Sequence, residues 1–416
     1  EYQGSSGPLP QYRPKTWKEV FDYWRMCLAE LAQLAKEPNE IGKCAAGTIA
    51  SHIRGLVQHG RLDDVELALG VVIRDLRARG AVWSQAVDAV KEVLKYDLDR
   101  APTGTENRIR SWLEMLAPVG LPQQLKLVVT EAPFDHEERS DGNWVDVAAR
   151  DAEALGHDCG QKWETVTDDL DVLLTGEQRQ AYSFGQGLAR GSHMAPALYE
   201  LVLARLAEIP FGRRNSTVLS GWLSVIDEHD SPTCDALFAA VAGHPALRGS
   251  LPNIARGLRL NDVRTAVLQN LVLAGHVEAN RLYGLSSGQA MVEVSVKQIS
   301  ELNRALLTKG IDGAWVALDI LFMRSYGKPE VAEALREDFV AIISTKGMLS
   351  SGRARLDSHE FEVVARRLIS QSASIAHFLS KELCVLVTEG AGLSKKKKKK
   401  LFESLFREQA EISWPV

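Results

Sequence analysis

The sequence predicts an all-α protein, and more specifically an α-solenoid of degenerate helix-pair repeats of the HEAT or TPR kind. Three observations lead to this prediction. Apolar residues recur at helical spacing in one segment after another along the 416 residues. Glycine or proline stands between most of these segments, where it ends one helix or begins the next. Each predicted helix is short and apolar on one side only, so it must pack against neighbours to be stable.

The N-terminal part, residues 15–176, is predicted to be one helical array that follows a disordered leader at 1–14. Thr16 is suited to cap the first helix, because its hydroxyl can accept a hydrogen bond from a first-turn amide. The second helix is expected to stop at His59-Gly60, a typical C-terminal cap. An exposed acidic connection is expected at 133–143. Further helices are expected at residues 62–79, 83–94, 109–116, 122–131, 144–155 and 163–174.

Residues 177–195 are predicted to be a loose connection, and residues 196–394 a second helical array. The connection contains RGSHM at 190–194, which matches a vector-derived segment; we interpret the match as coincidental, a joined sequence being the alternative. Successive helix pairs of the second array occupy about forty residues, near the period of HEAT-type repeats. Its helices are expected at residues 198–209, 217–226, 231–241, 251–260, 262–274, 303–307, 314–326, 329–344, 360–372 and 376–388.

A lysine-rich segment and a terminal helix are predicted at 395–416. Strand signals are weak throughout. The best candidates, residues 125–130 and 292–296, are short and fit a helix equally well.

Composition and charge limit the classes of function. The net charge of −5 and the pI near 6.1 argue against a general nucleic-acid binder, because such proteins usually have excess Lys and Arg. No apolar run is long enough to cross a bilayer and no signal peptide is present, so we expect a cytoplasmic protein without a membrane partner. Because the chain begins at Glu1 rather than Met, we expect it to be part of a longer protein.

The five cysteines lie far apart in the sequence, without a CxxC pair or a nearby Cys/His cluster of zinc spacing. This pattern predicts small buried residues in a reducing compartment. The cysteines are Cys27, Cys44, Cys159, Cys234 and Cys384.

Most sequence motifs of common catalytic and cofactor sites are missing. The chain contains no GxxxxGK[ST], GxGxxG or HExxH, so phosphate-loop, dinucleotide and zinc-protease chemistry lose their usual support. The pattern GxSxG, which in hydrolases presents a nucleophilic serine between a strand and a helix, occurs once, as GLSSG at 284–288, without a predicted strand before it. We therefore expect no enzymatic activity from this chain and predict no catalytic, cofactor-binding or metal-binding residues.

Two acidic clusters and a histidine pair are the densest polar groups. Residues 227–230, Asp-Glu-His-Asp, could orient a histidine or supply metal ligands. Consecutive residues point in different directions, however, so we interpret them as a solvated helix end and turn. The similar run at 135–138 is interpreted as a solvated loop. His52 and His59 lie seven residues apart on one helical face but lack a third ligand, which is typical of surface or boundary residues.

Basic residues suggest a nucleic-acid-binding alternative. The lysine run 395–400 would attract phosphate or an acidic protein surface. No aromatic residue interleaves with it, so we interpret it as a solvated linker or an exposed helix start. A nucleic-acid-binding scaffold would require Arg213, Arg214, Arg353 and Arg355 to converge with this run on one face.

The tryptophans mostly fall on apolar stripes, which predicts packing anchors between helices. Any tryptophan exposed on a concave surface would instead be a candidate hot spot for binding. The set comprises Trp17, Trp24, Trp83, Trp112, Trp144, Trp163, Trp222 and Trp315.

Four segments resemble the helical C-terminal regions of large bacterial STAND-type NTPases. They are TWKEVFDYW (16–24), IRGLVQHGRLDDVELALGVV (53–72), DGNWVDVAARDAEAL (141–155) and RRNSTVLSGWLSVID (213–227). In that family, which includes anti-phage defence proteins, an effector and an NTPase precede a repeat-rich sensor. The resemblance implies a sensing region that binds a foreign protein, often a phage component, and controls oligomerisation of the attached NTPase. This chain has no phosphate-binding loop, so it would correspond to the sensor alone.

The sequence thus predicts a non-enzymatic protein-recognition scaffold, the ligand-sensing region of a larger defence NTPase. Its expected partner is a protein, under the resemblance a phage protein, and homo-oligomerisation would involve domains outside this chain. Two alternatives remain open. One is a nucleic-acid-binding helical scaffold, which salt-dependent binding would support. The other is an enzyme whose site is assembled from distant histidines and carboxylates in a deep pocket.

Overall fold

A computed structural model describes residues 14–132, 135–138, 142–287, 290–351 and 359–389. The chain divides into two compact units, which we call the N-terminal unit (1–151) and the C-terminal unit (152–416). Both are built from α-helices, and within the described ranges the sheet consists of two short strands. The prediction of an all-α class is confirmed.

The N-terminal unit contains six helices ahead of a short hairpin. Each packs on the next helix or the one after it: α1 contacts α2 and α3, α2 also contacts α4, and α3 contacts α5. Ile53, Leu69, Val90 and Trp112 lie in their common apolar core. The helices are α1 (Trp17–Leu34), α2 (Glu40–Gln58), α3 (Leu62–Ala78), α4 (Ser84–Glu92), α5 (Glu106–Leu116) and α6 (Leu121–Leu125).

Capping residues set the ends of the first two helices. Thr16 Oγ1 accepts a hydrogen bond from the Glu19 amide at 3.3 Å, as its position in the sequence predicts. Asn39 caps α2 in the same way. The last turn of α2 closes at His59, and Gly60 follows with φ of 71°, a backbone region that favours glycine.

A small hairpin follows α6. Strand β1 (His136–Glu138) pairs antiparallel with β2 (Trp144–Asp146), with His136 opposite Asp146. The helix predicted to begin at residue 144 therefore starts later, as α7 (Val147–Gln161). Of the two candidate strands, residues 125–130 are helical and residues 292–295 form a turn, so neither forms a strand.

The C-terminal unit is also a succession of helices, and it begins within α7. Contacts again join each helix to near neighbours in the sequence, such as α9 to α11, α12 to α14 and α16 to α18. The helices are α8 (Leu170–Leu174), α9 (Ala181–Gly191), α10 (Pro196–Glu208), α11 (Thr217–His229), α12 (Ser231–Gly243), α13 (Leu251–Ala255), α14 (Asp262–Leu273), α15 (Val296–Leu307), α16 (Gly310–Ser325), α17 (Pro329–Ala334), α18 (Arg336–Ile343), α19 (His359–Ile369) and α20 (Ala373–Glu389).

The segment predicted as a loose connection, 177–195, contains the well-packed helix α9. Glycines allow this helix to approach its neighbours closely: a Cβ at Gly187 would collide with the Glu153 carbonyl of α7. A Cβ at Gly185 would collide with the Val218 carbonyl of α11 in the same way. Glycine lowers helix propensity, which is why the pattern indicated a loop, but these backbone contacts stabilise the helix.

The run RGSHM at 190–194 is part of this packing. Arg190 donates hydrogen bonds to Glu153 and, at 3.1 Å, to Glu228. Gly191 lies against the backbone of His157, where a side chain would not fit. The run therefore contributes to the packing of α9 against α7 and α11.

Candidate functional site

An aromatic cluster marks the beginning of α1. Trp17, Phe21 and Trp24 lie on one face of the helix, and the ring centroid of Phe21 is 5.6 Å from that of each tryptophan. The imidazole of His59, at the end of α2, lies 5.4 Å from both tryptophan rings. The guanidinium of Arg61 stacks on Phe21 at 4.9 Å. The cluster therefore fixes the start of α1 against the end of α2.

An apolar groove of about 450 Å³ runs from this cluster between α1 and α2. Its lining contains no aspartate, glutamate, lysine or arginine, and Trp24 and His59 belong to both the groove and the cluster. We call it the α1–α2 groove. It is lined by Tyr23, Trp24, Cys27, Leu28, Leu31, Thr48, His52, Gly55, Leu56 and His59.

Large apolar side chains are exposed beside the groove. Trp17, Tyr23 and Met26 of α1 are 62%, 60% and 57% exposed, respectively. Tryptophan, tyrosine and methionine are enriched in protein interfaces relative to the remaining surface. On the α2 side of the groove, Gly55 contributes no side chain, and an added Cβ there would meet no atom within 4 Å. The α2 side of the groove is therefore not covered by a side chain at this position.

The polar groups of the groove are few. His52 Nδ1 lies 2.8 Å from the Thr48 carbonyl oxygen, so this ring nitrogen is engaged in a hydrogen bond within α2. A hydrogen bond with Cys27 raises the pKa of the Tyr23 hydroxyl above its usual value. His52 and His59, the predicted pair, both line the groove. Among the described residues, no group of three or more His, Cys, Asp or Glu side chains is placed to hold a metal ion.

The acidic cluster at 227–230 is engaged in structural contacts. Asp227 accepts a hydrogen bond from the buried Arg264, and Glu228 accepts one from Arg190. Asp230 caps α12 by accepting hydrogen bonds from the hydroxyl and the amide of Thr233, and these bonds lower the pKa of Asp230. This agrees with the interpretation of the cluster as a helix end and turn.

The second acidic run, 135–138, forms no common site either. Asp135 accepts a hydrogen bond from Lys95 Nζ at 3.4 Å. The three residues that follow form the exposed strand β1, in which successive side chains point to opposite sides. The residues of this run therefore form strand β1 and the contact with Lys95.

The tryptophans divide into buried, partly buried and exposed ones, and Trp24 and Trp163 are partly buried. Trp112, Trp222 and Trp315 are at most 2% exposed, which confirms their role as packing anchors, and Trp83 is also buried. Trp17 and Trp144 are mostly exposed and depart from the prediction. The sequence signal that could have indicated the exposure of Trp17 is its position in the first turn of α1, directly after the Thr16 cap.

None of the five cysteines, all of which lie in the described ranges, forms a disulfide bond, but they are not all buried. Burial raises the pKa of Cys159 to about 11 and that of Cys234 to about 12, which keeps both thiols protonated at neutral pH. Cys44 and Cys384 are exposed, so the prediction of burial is wrong for them. Both lie on the solvent side of amphipathic helices.

The basic residues predicted to converge are only partly within the described ranges. Arg213 is exposed, whereas Arg214 donates hydrogen bonds to the carbonyls of Ala207, Ile209 and Ala246. Arg214 therefore supports the local backbone. Residues 353, 355 and 395–400, with the terminal helix predicted after them, lie outside the residues that the structure describes.

Comparison of the chain with models of protein families, with curated proteins and with solved structures finds no match. In the described part of the chain, every helix is too short or too polar to span a bilayer.

Proposed function

We propose that this chain is a non-enzymatic protein-recognition scaffold that binds an apolar helix of a partner protein in the α1–α2 groove. The observation that carries this proposal is the combination of an uncharged groove with the exposed side chains of Trp17, Tyr23 and Met26 on α1, one of the two helices that form the groove. Soluble proteins seldom expose a contiguous surface of this kind unless it binds something.

The uncharged lining indicates the chemistry of the partner. A charged group inserted there would lose its hydration without gaining a counter-ion, which is costly. A furrow between two helices suits an amphipathic helix that presents apolar residues at positions i, i+3, i+4 and i+7. We therefore expect aliphatic or aromatic anchors in the partner, with its charged residues facing away.

We further propose that each unit is an array of degenerate helix-pair repeats, that is, an α-solenoid segment. Side chains that join one helix to another are often separated by a nearly constant 36 to 43 residues, close to the length of one helix pair. Such links connect equivalent positions of successive pairs, as stacked repeats require. Examples are Arg25–Asp64, Arg54–Asp97, Arg108–Glu66, Arg190–Glu153, Arg190–Glu228, Arg264–Asp227, Ser300–Asp338 and Trp315–Ser351.

Within this proposal, the scaffold is the ligand-sensing region of a larger bacterial defence NTPase, and its partner is a phage protein. Two features support this assignment: the resemblance of the four segments quoted above to STAND-type sensor regions, and the apolar groove, which suits a protein ligand. Signalling would further require that the ligand prefer one arrangement of the array over another.

The proposal is tested by filling the groove. Gly55→Leu adds a side chain where nothing lies within 4 Å, so it should occupy the groove without disturbing the core. The immobilised chain is incubated with nuclease-treated lysate of phage-infected cells, and retained proteins are identified by mass spectrometry and purified. We expect Gly55→Leu to weaken binding of the purified partner at least tenfold, or about 1.4 kcal/mol, in calorimetry.

Gly70→Leu is the matched control, because Gly70 lies inside α3 and an added Cβ there also meets nothing within 4 Å. It should leave the affinity unchanged. Equal affinity of the wild type and both variants for every purified partner would overturn the groove as the binding site. Retention of no protein specific to infected cells would overturn the sensor assignment.

A further inference from the structure

Three short segments of the C-terminal unit meet around Phe211. This residue opens a 3-10 turn at Phe211–Arg213 and is 44% exposed. The guanidinium of Arg281, from the 3-10 helix Ala279–Ser286, lies 4.4 Å from its ring centroid. Gly249, from the turn Arg248–Ser250, borders the ring edge, since a Cβ there would lie 2.9 Å from Phe211 Cε2. The ring is thus held in place with part of its surface open.

Two further arginines lie in or beside the segments that border this ring. Arg256 lies along Gly284, where an added Cβ would be 3.1 Å from Arg256 Cδ. Residues three apart in a 3-10 helix lie on the same face, so Arg281 and Gly284 share one side of this helix. Because Arg256 borders Gly284, it lies on the same side as Arg281. Arg248 adjoins Gly249 in the sequence. We call Phe211, Arg248, Arg256 and Arg281 the arginine surface.

Arg214 adds a fixed positive charge beneath this surface. Its guanidinium carbon lies 6.0 Å from the Phe211 centroid, and its hydrogen bonds go to carbonyl oxygens. Its Nε is buried without a hydrogen-bond partner. Burial lowers the pKa of Arg214 below its usual value, which is the effect of desolvation without a counter-ion.

The charges of the arginine surface are not neutralised by the protein. Across the described ranges, Arg214 and the three arginines of the surface form no ion pair with a carboxylate. Many other arginines of the chain do form one, for example Arg54 with Asp97 and Arg108 with Glu66. Uncompensated guanidinium groups in one region of a surface attract an anion.

We propose that the arginine surface binds single-stranded nucleic acid, with phosphates on the guanidinium groups and a base stacked against Phe211 and Arg281. The planar guanidinium matches the geometry of phosphate oxygens and also stacks on flat rings. An exposed aromatic ring among cations is the combination that single-strand binding proteins use, whereas an acidic peptide needs no ring. This activity is independent of the groove in the N-terminal unit.

The test uses the full chain and a fluorescein-labelled oligothymidylate of about twelve nucleotides, followed by fluorescence anisotropy. We expect saturable binding that weakens steeply with salt. The double variant Arg248→Gln/Arg281→Gln should lower affinity at least tenfold. If it removes two phosphate contacts, it should also reduce the slope of log affinity against log salt by about 1.4. Phe211→Ala should lower affinity by about five- to a hundredfold through lost stacking.

The matched control is Arg74→Gln/Arg304→Gln, which removes the same charge from two exposed arginines on α3 and α15. It should bind as the wild type does. Circular dichroism establishes that all variants are folded. Absence of saturable binding at low salt, or equal loss in both double variants, would overturn the proposal. It would also be overturned if a polyglutamate peptide bound as tightly as the oligonucleotide and did so independently of Phe211.

Discussion

Replacing Arg264 by methionine is expected to lower the free energy of unfolding of the C-terminal unit by about 3–5 kcal/mol. The side chain of Arg264 is only 1% exposed although it is charged. Its Nε donates to Asp235 at 2.6 Å, and its Nη2 donates to Asp227 and, at 2.9 Å, to Ser231 Oγ. Its Nη1 donates to the Arg259 carbonyl at 2.9 Å.

The effect is large because methionine fills much of the same space but supplies no charge. Burial opposes the charge of Arg264, but the hydrogen bond and the charge of Asp227 outweigh it and raise the pKa of the guanidinium. Without Arg264, the two largely buried carboxylates of Asp227 and Asp235 would lose their common cation. An unpaired charge in such a position is strongly destabilising.

Urea unfolding followed by circular dichroism measures this change, with amide exchange of α12 and α14 to assign the transition. Arg259→Met is the matched control: Arg259 is 70% exposed and lies 3.6 Å from Glu293, so we expect a change below about 1 kcal/mol. Adding Asp235→Asn to Arg264→Met should recover part of the loss. A similar small change in both single variants would show that the buried network does not stabilise the unit.

Replacing Gly187 by alanine is expected to cost about 2–3 kcal/mol. An added Cβ would collide with the backbone of Glu153 and would lie 2.8 Å from the His157 nitrogen. Because the obstacle is the backbone of α7, it cannot rotate away as a side chain does. Helices α7 and α9 would have to separate, and contacts along the whole crossing would weaken.

Gly70→Ala is the control, and we expect it to change the free energy of unfolding in the opposite direction. An added Cβ at this position in α3 meets nothing within 4 Å, and alanine has the higher helix propensity, so we expect a gain of about 0.5–1 kcal/mol. Thermal unfolding of both variants, monitored at a helix wavelength, compares the two shifts. If Gly187→Ala also gained stability, α7 and α9 would not be in direct backbone contact.

Local patterns predicted much of the helical structure. The helix expected at 262–274 is α14 (Asp262–Leu273), and the one expected at 231–241 is α12 (Ser231–Gly243). These segments have clear caps, Asn261 and Asp230, so local chemistry decides their limits. Helix α9 was missed because its stability comes from contacts with α7 and α11, which no local pattern contains.

The candidate sites were less predictable, because each is assembled from distant parts of the chain. The shared face of His52 and His59 was visible from their spacing, but the groove depends on how α1 packs against α2. Phe211 and Arg281 are seventy residues apart in the sequence, and their stacking depends on the packing of three short turns. The arginines that we expected on one face were neighbours in the sequence, because local patterns show nothing else. One of them, Arg214, instead donates hydrogen bonds to backbone carbonyl groups.

The direct contact between the backbones of α7 and α9 also limits how this protein can change during evolution. Gly156 and Gly160 of α7 lie against the backbone of α9, Gly187 and Gly191 of α9 lie against the backbone of α7, and each position excludes even a methyl group. Any larger residue would have to be accompanied by a shift of a whole helix, which single mutations rarely provide. In chains that share this fold we therefore expect these four glycines to persist, while the residues that line the groove and the arginine surface diverge with their partners.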